Sequence, residues 1–148
     1  MSETNEILAD VSNGVAVLTL NRPENLNAIN MAMFHKMWIL LTEWANDDEV
    51  KCVIVRGAGE KSFCAGGDVL AVVKNRGNGE FMHEVYRCEY VVDQLIHHYP
   101  KPYIPLMDGI VMGGGAGISV HAQGRRLVTE RTVFAMPETA IGFFPDVG

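Results

Sequence analysis

The sequence is short of clustered positive charge. Its 12 Lys and Arg are outnumbered by 18 Asp and Glu, for a net charge of −6, and the longest basic run is Arg125-Arg126. Binding to a phosphate backbone needs grouped cations, so nucleic acid is excluded as a partner. Cysteine is scarce as well. Cys52, Cys64 and Cys88 are an odd count with no CxxC spacing, which argues against a disulfide framework and against a cysteine zinc site, and fits a reducing compartment. No apolar run approaches the roughly 18 residues of a membrane span. The first ten residues carry neither a basic-then-apolar leader nor an Arg-rich amphipathic segment, so the expected location is the cytoplasm of a bacterial cell.

What is present is the balance of one soluble globular domain over residues 1–148, with 48% hydrophobic and 20% charged residues. Ile7 to Val11 and Val15 to Leu20 flank Asn13-Gly14 and read as a hairpin. Asn30 is the expected N-cap of a helix from Met31 to about Asn46, with Phe34, Met37, Trp38, Leu41 and Trp44 or Ala45 facing the core. Lys51 to Arg56 predicts a buried strand. A second long helix is predicted from about Glu80 to His98, with Phe81, Val85, Cys88, Val92, Leu95 and Ile96 inward. Tyr103 to Met107 follows as a strand, in which Pro105 suggests an edge or irregular position. A glycine-opened helix from Gly113, strands at Arg126–Thr129 and Val133–Ala135, and a tail rich in phenylalanine complete the chain. Strands alternating with helices predict an α/β domain. Phe143, Phe144 and Val147 lie so near the end that further sequence or a second subunit is expected to cover them, which suggests a homo-oligomer.

Two glycine-rich loops are the first chemical signal. Ala65-Gly66-Gly67-Asp68 follows a predicted strand and Gly113-Gly114-Gly115 opens a predicted helix. Both expose backbone N–H groups, and the helix dipole adds to the attraction for negative charge. If they face one another, one donor from each makes an oxyanion hole for a thioester carbonyl. Read separately, such glycines only permit tight turns. Neither loop ends in the Lys-Ser/Thr of a phosphate-binding P-loop, and Ile118 breaks the dinucleotide pattern.

Asn21-Arg-Pro23, Ser62-Phe-Cys-Ala-Gly-Gly-Asp68, Met112-Gly-Gly-Gly-Ala-Gly117 and Met136-Pro-Glu-Thr139 occur in the order seen in the crotonase superfamily, which this chain resembles along nearly its whole length. Arg87-Cys-Glu-Tyr90, Tyr99-Pro-Lys-Pro-Tyr103 and Phe134 through Gly148 resemble more narrowly its 3-hydroxyisobutyryl-CoA hydrolase branch. The resemblance implies a spiral of ββα repeats, cut before the C-terminal helical region that completes the acyl pocket and builds the oligomer. It implies an acyl-CoA substrate whose carbonyl is held by the N–H groups of Gly67 and Gly114, with Ala65, Gly66, Asp68 and Gly113 around it. Coenzyme A enters as part of the substrate, and no other cofactor or metal is implied. The positions matching Glu138, Asp146 and Glu89 would be nucleophile or general base, handler of water or protons, and binder of the substrate hydroxyl. Carboxylates gathered in an apolar pocket repel, which should raise at least one of their pKa values.

Each acid also has an ordinary reading. Glu89 beside Arg87 resembles a solvated helical residue, Glu138 after Pro137 a helix start, and Asp146 after Pro145 a turn residue. His97, His98, His121 and Cys64 lack the spacings of a metal or nucleophile set and read as packing or surface residues. Enoyl-CoA hydratases on this scaffold place a second glutamate just after the glycine triplet, where this chain has Gly117. Hydrolysis is therefore favoured over hydration, with a hydratase or isomerase as the alternative and an inactive coenzyme-A-binding fragment as the second. Arg22 and Lys61 are candidates to offset the coenzyme's negative charge.

Overall fold

The computed structural model describes residues 5–147. The hairpin forms as the Asn-Gly turn requires: β1 (Ile7–Ser12) pairs antiparallel with β2 (Val15–Leu20), and Asn13 and Gly14 both take positive φ. The Asn30 side chain accepts a hydrogen bond from the Met33 N–H and so caps α1 (Met31–Asn46). One face of α1, built from Met33, Phe34, Met37, Leu40, Leu41 and Trp44, is buried. Trp38 was expected inward but is 47% exposed. It lies one residue past Met37, off the stripe that the 3.6-residue period places on the core.

After α1 the chain repeats one unit. β3 (Cys52–Gly57) and β4 (Ser62–Cys64) lead to two helices, α2 (Val69–Lys74) and α3 (Gly79–His97). β5 (Tyr103–Met107) and β6 (Ile110–Met112) lead to α4 (Gly114–Val120), and β7 (Leu127–Val128) and β8 (Val133–Ala135) lead to a 3-10 turn at Glu138–Ile141. From β3 onward the first strand of each unit joins one sheet and the second joins another. The sheets run β1-β2-β3-β5-β7 and β4-β6-β8, parallel from β2 onward. This is the expected spiral of ββα turns, and its core lies between the larger sheet and the helices α1 and α3.

One sequence expectation needs correction, for the inward face of α3. Pro105 lies in a strand flanked by β3 and β7, but pairing with β7 begins at Leu106, so Pro105 itself is paired on the β3 side alone, the edge-like position its missing donor suggests. The stretch after Asp68, for which the sequence suggested no element, forms α2, because the Asp68 carboxylate caps it by accepting from the Ala71 N–H. On α3 the buried residues are Cys88, Glu89, Val92, Asp93 and Ile96, whereas Phe81, Val85 and Leu95 are only partly covered. Two acids thus interrupt the apolar face.

Asn27, fully buried at a positive φ, ties the first turn of the spiral together. Its side-chain amide donates to the carbonyls of Ala58 and Ser62, and its Oδ1 accepts from the Arg22 N–H. These bonds hold the loop before α1 against the start of β4, which sets the position of the glycine loop that follows.

Candidate active site

The two glycine loops abut. Gly66 adopts φ 115°, a value that favours glycine, and a Cβ built there would lie 3.1 Å from the Met112 carbonyl and 3.6 Å from the Gly114 nitrogen. From the other side, a Cβ on Gly114 would lie 3.4 Å from the Gly67 nitrogen. The neighbouring groups are committed: Gly66 O accepts from Ile29, and the Gly113 N–H donates to Ala135 O. Among the described residues, the N–H groups of Gly67 and Gly114 have no backbone acceptor. Gly114 is the first residue of α4, where no helical carbonyl is in reach.

Acids close this gap from two directions. A Cβ on Gly114 would collide with Oε1 of Glu89, and one on Gly113 would stand 2.9 Å from Oε1 of Glu138. Glu89 comes from the inward face of α3 and Glu138 from the turn after β8; they are only 6% and 8% exposed. Oε2 of Glu138 is buried without a hydrogen-bond partner. Asp146 sits at the rim, where the Tyr90 hydroxyl donates to its Oδ2 at 2.5 Å. Tyr86 stacks on Phe143, centroids 5.7 Å apart, which fixes the segment that carries Asp146.

The repulsion expected from the sequence falls on Glu89. Burial, then the charges of Asp146 and Glu138, push its carboxyl up to about 7. An acid whose folded pKa exceeds its unfolded value favours folding when protonated. That contribution is complete below the ordinary carboxylate range and is lost as pH rises through about 7. Glu89→Gln should therefore raise Tm relative to the parent at pH 8, with the gap closing near pH 4. An equal offset at both values would show that the Glu89 side chain does not titrate in this way.

The remaining sequence candidates have plain positions. Ala65 is half-buried and donates its N–H to Leu26 O. Asp68 is occupied on both oxygens, by the Ala71 N–H and by Arg22 Nη1 at 3.0 Å. Arg22 in turn pairs with Glu6 and Asp68, so it is not the free cation expected near the coenzyme. Lys61 stays exposed beside a smaller cavity of about 320 Å³ that Pro23, Asn27 and Gly59 help to line. Burial pushes the Cys64 thiol up to about 12, consistent with a packing role.

Sequence reasoning missed Asp93 and Tyr90. With His97, His121 and Asp146 they line an open groove of about 570 Å³. The signal was there in the sequence, since Glu89 and Asp93 are four residues apart and both fall on the apolar stripe of α3. Among the described residues, one His/Glu/Cys group lies outside the site, formed by His35, Glu84 and Cys88. Both Glu84 oxygens are held by Arg87, and the Cys88 thiol is pushed up to about 11 by burial and then by Glu84, so no ion is assigned to it.

Comparison with known proteins decides the family. The model of the Enoyl-CoA hydratase/isomerase family matches residues 15–148. The chain belongs to that family. It is 48% identical over 144 residues to "3-hydroxyisobutyryl-CoA hydrolase, mitochondrial" of Danio rerio and 46% identical to the protein of the same name from Bos taurus. Both alignments cover 97% of this chain and 37% of the relative, so the chain spans little more than a third of their length. Among solved structures, a carnitinyl-CoA dehydratase from Mycobacterium thermoresistibile is 45% identical with a TM-score of 0.94, covering 97% of this chain and 42% of that one. The cytoplasmic location expected from the sequence is overturned, because the relatives' names point to mitochondria. That expectation rested on the first few residues, which are a poor guide in a chain matching only part of its relatives.

Proposed function

We propose that this family member hydrolyses the thioester of a short β-hydroxyacyl-CoA, with 3-hydroxyisobutyryl-CoA as the first substrate to test and valine catabolism as the setting. The observation that carries the reading is the pair of unengaged N–H groups, Gly67 and Gly114, beside the buried and unpartnered Oε2 of Glu138. The thioester carbonyl oxygen accepts from both N–H groups, which stabilise the negative charge as the carbonyl carbon becomes tetrahedral. Glu138 attacks that carbon or takes a proton from the attacking water. The C–S bond breaks, the coenzyme thiolate leaves and takes up a proton, and where Glu138 itself has attacked, water hydrolyses the resulting mixed anhydride to the free acid and restores the Glu138 carboxylate. Asp146, oriented by the Tyr90 hydroxyl, guides the water and its proton. Glu89 receives the β-hydroxyl of the acyl group.

The test is release of free thiol from 3-hydroxyisobutyryl-CoA. Binding of the ester without thiol release would instead support the inactive, coenzyme-binding reading. Hydration or dehydration is the second enzymatic reading, favoured by the 45% identity to a solved structure named as a dehydratase. Loss of enoyl absorbance with crotonyl-CoA would support it. Association is part of the same proposal, since Phe144, Ile141, Phe134 and Val133 are all exposed near the end of the described chain. Sedimentation should show a dimer or larger species, and a clean monomer would contradict it.

A further inference from the structure

Asp93 has no part in the mechanism above, yet it is built into the same site. It follows Glu89 by one turn of α3 and is 6% exposed. Among the described residues neither of its oxygens has a hydrogen-bond partner, and no lysine or arginine pairs with it. Its carboxyl lies flat on α4 at Gly117, where a Cβ would stand 2.7 Å from Oδ2 and 2.9 Å from Oδ1. Any other residue at 117 would displace it. The acid also opens on the groove that Asp146 lines.

The titratable groups around it are Glu89, Tyr90 and His97 from its own helix, His98 at that helix's end, Tyr103 from β5, His121 after α4, and Asp146. Two buried carboxylates a helical turn apart, with no cation between them, cannot both ionise cheaply.

We propose that Asp93 is a further positioning residue of this site: it keeps its proton next to Glu89, so that the pair carries one negative charge and that charge resides on Glu89. Geometry favours that assignment: both oxygens of Asp93 are buried without a partner, which is true of neither oxygen of Glu89. Burial, then the charges of Glu89 and Asp146, push the Asp93 carboxyl up, and burial, then Asp146 and Glu138, push up that of Glu89. The effect on rate rests on the hydrolytic reading; the protonation itself does not.

Infrared titration of the chain tests the protonation without any substrate. The parent protein should show carboxylic-acid carbonyl bands that disappear in two steps, both above the ordinary carboxylate range. Asp93→Asn, nearly the same shape, should lack the upper step, and Glu89→Gln the lower one. Asp93→Ser serves as a second variant, with circular dichroism confirming the fold of each. If thiol release is observed, kcat/KM of the parent should fall above pH 8, and Asp93→Asn should remove that fall while leaving the rate at pH 7 within a few-fold. A purely structural Asp93 would leave the pH profile where it is. No acid band above pH 6 in the parent, an upper step that survives Asp93→Asn, or superimposable rate profiles would overturn the proposal. Absence of thiol release would defeat the hydrolytic reading alone, leaving the infrared result to decide this one.

Discussion

Glu138→Gln is expected to lower thiol release from 3-hydroxyisobutyryl-CoA by about 100- to 10,000-fold, the range of a lost general base or nucleophile. The loss should appear in kcat, with KM changed little. The amide keeps the size and shape of the carboxyl, so the packing against Gly113 survives. What disappears is the ability of Oε2, buried and without a partner, to attack carbon or take a proton. The parent already leaves Oε2 without a partner, and glutamine removes a buried charge that repels Glu89, so no loss of Tm is expected beside the kinetic one. Thiol release that persists at the parent rate would remove Glu138 from its proposed role.

Gly114→Ala is the second large effect. The added Cβ would run into Glu89 Oε1 and stand 3.4 Å from the Gly67 nitrogen, inside the gap where the carbonyl oxygen is proposed to lie. Alanine keeps its N–H, but a methyl group filling the gap blocks the carbonyl's approach to it, so the cost in kcat should approach that of a lost oxyanion donor, about 100- to 1,000-fold, while the Glu89 carboxyl must shift to make room. Gly67→Ala is the control. A Cβ at Gly67 meets nothing within 4 Å, so its melting temperature should match the parent's while its substrate kinetics suffer. Equal stability and equal rates for both variants would argue that the gap between the loops is not where the substrate binds.

Much of this was legible in the residues because local signals and packing agreed. Asn30 sits where a cap is needed and α1 begins at the next residue; Asn13-Gly14 turns the hairpin. The glycine loops could be read because glycine without a turn signal nearby invites a question about what approaches the backbone. α2 was missed because it has no buried residue, so Leu70 and Val73 give no helical face to recognise. β6 was missed because three residues carry too little pattern, and it exists only through its pairing with β4 and β8. Pro105 was read as edge-like because it lacks a donor, and the pairing with β7 does begin only at the next residue, Leu106. Asp93 escaped because an aspartate in mid-helix normally faces water. Only the tertiary contact with Gly117 turns it inward.

Cys64 ends β4 beside the gap, its sulfur taking up the Gly66 N–H at 3.4 Å. Thiol–disulfide exchange requires a thiolate, and a group pushed up to about 12 supplies almost none at neutral pH. Cys64 is therefore slow to exchange with a disulfide of the coenzyme whose thiol the proposed hydrolysis would release. Oxidised coenzyme should leave no mixed adduct at this position, and mass spectrometry after such exposure should find Cys64 unmodified while the partly exposed Cys52 carries the label.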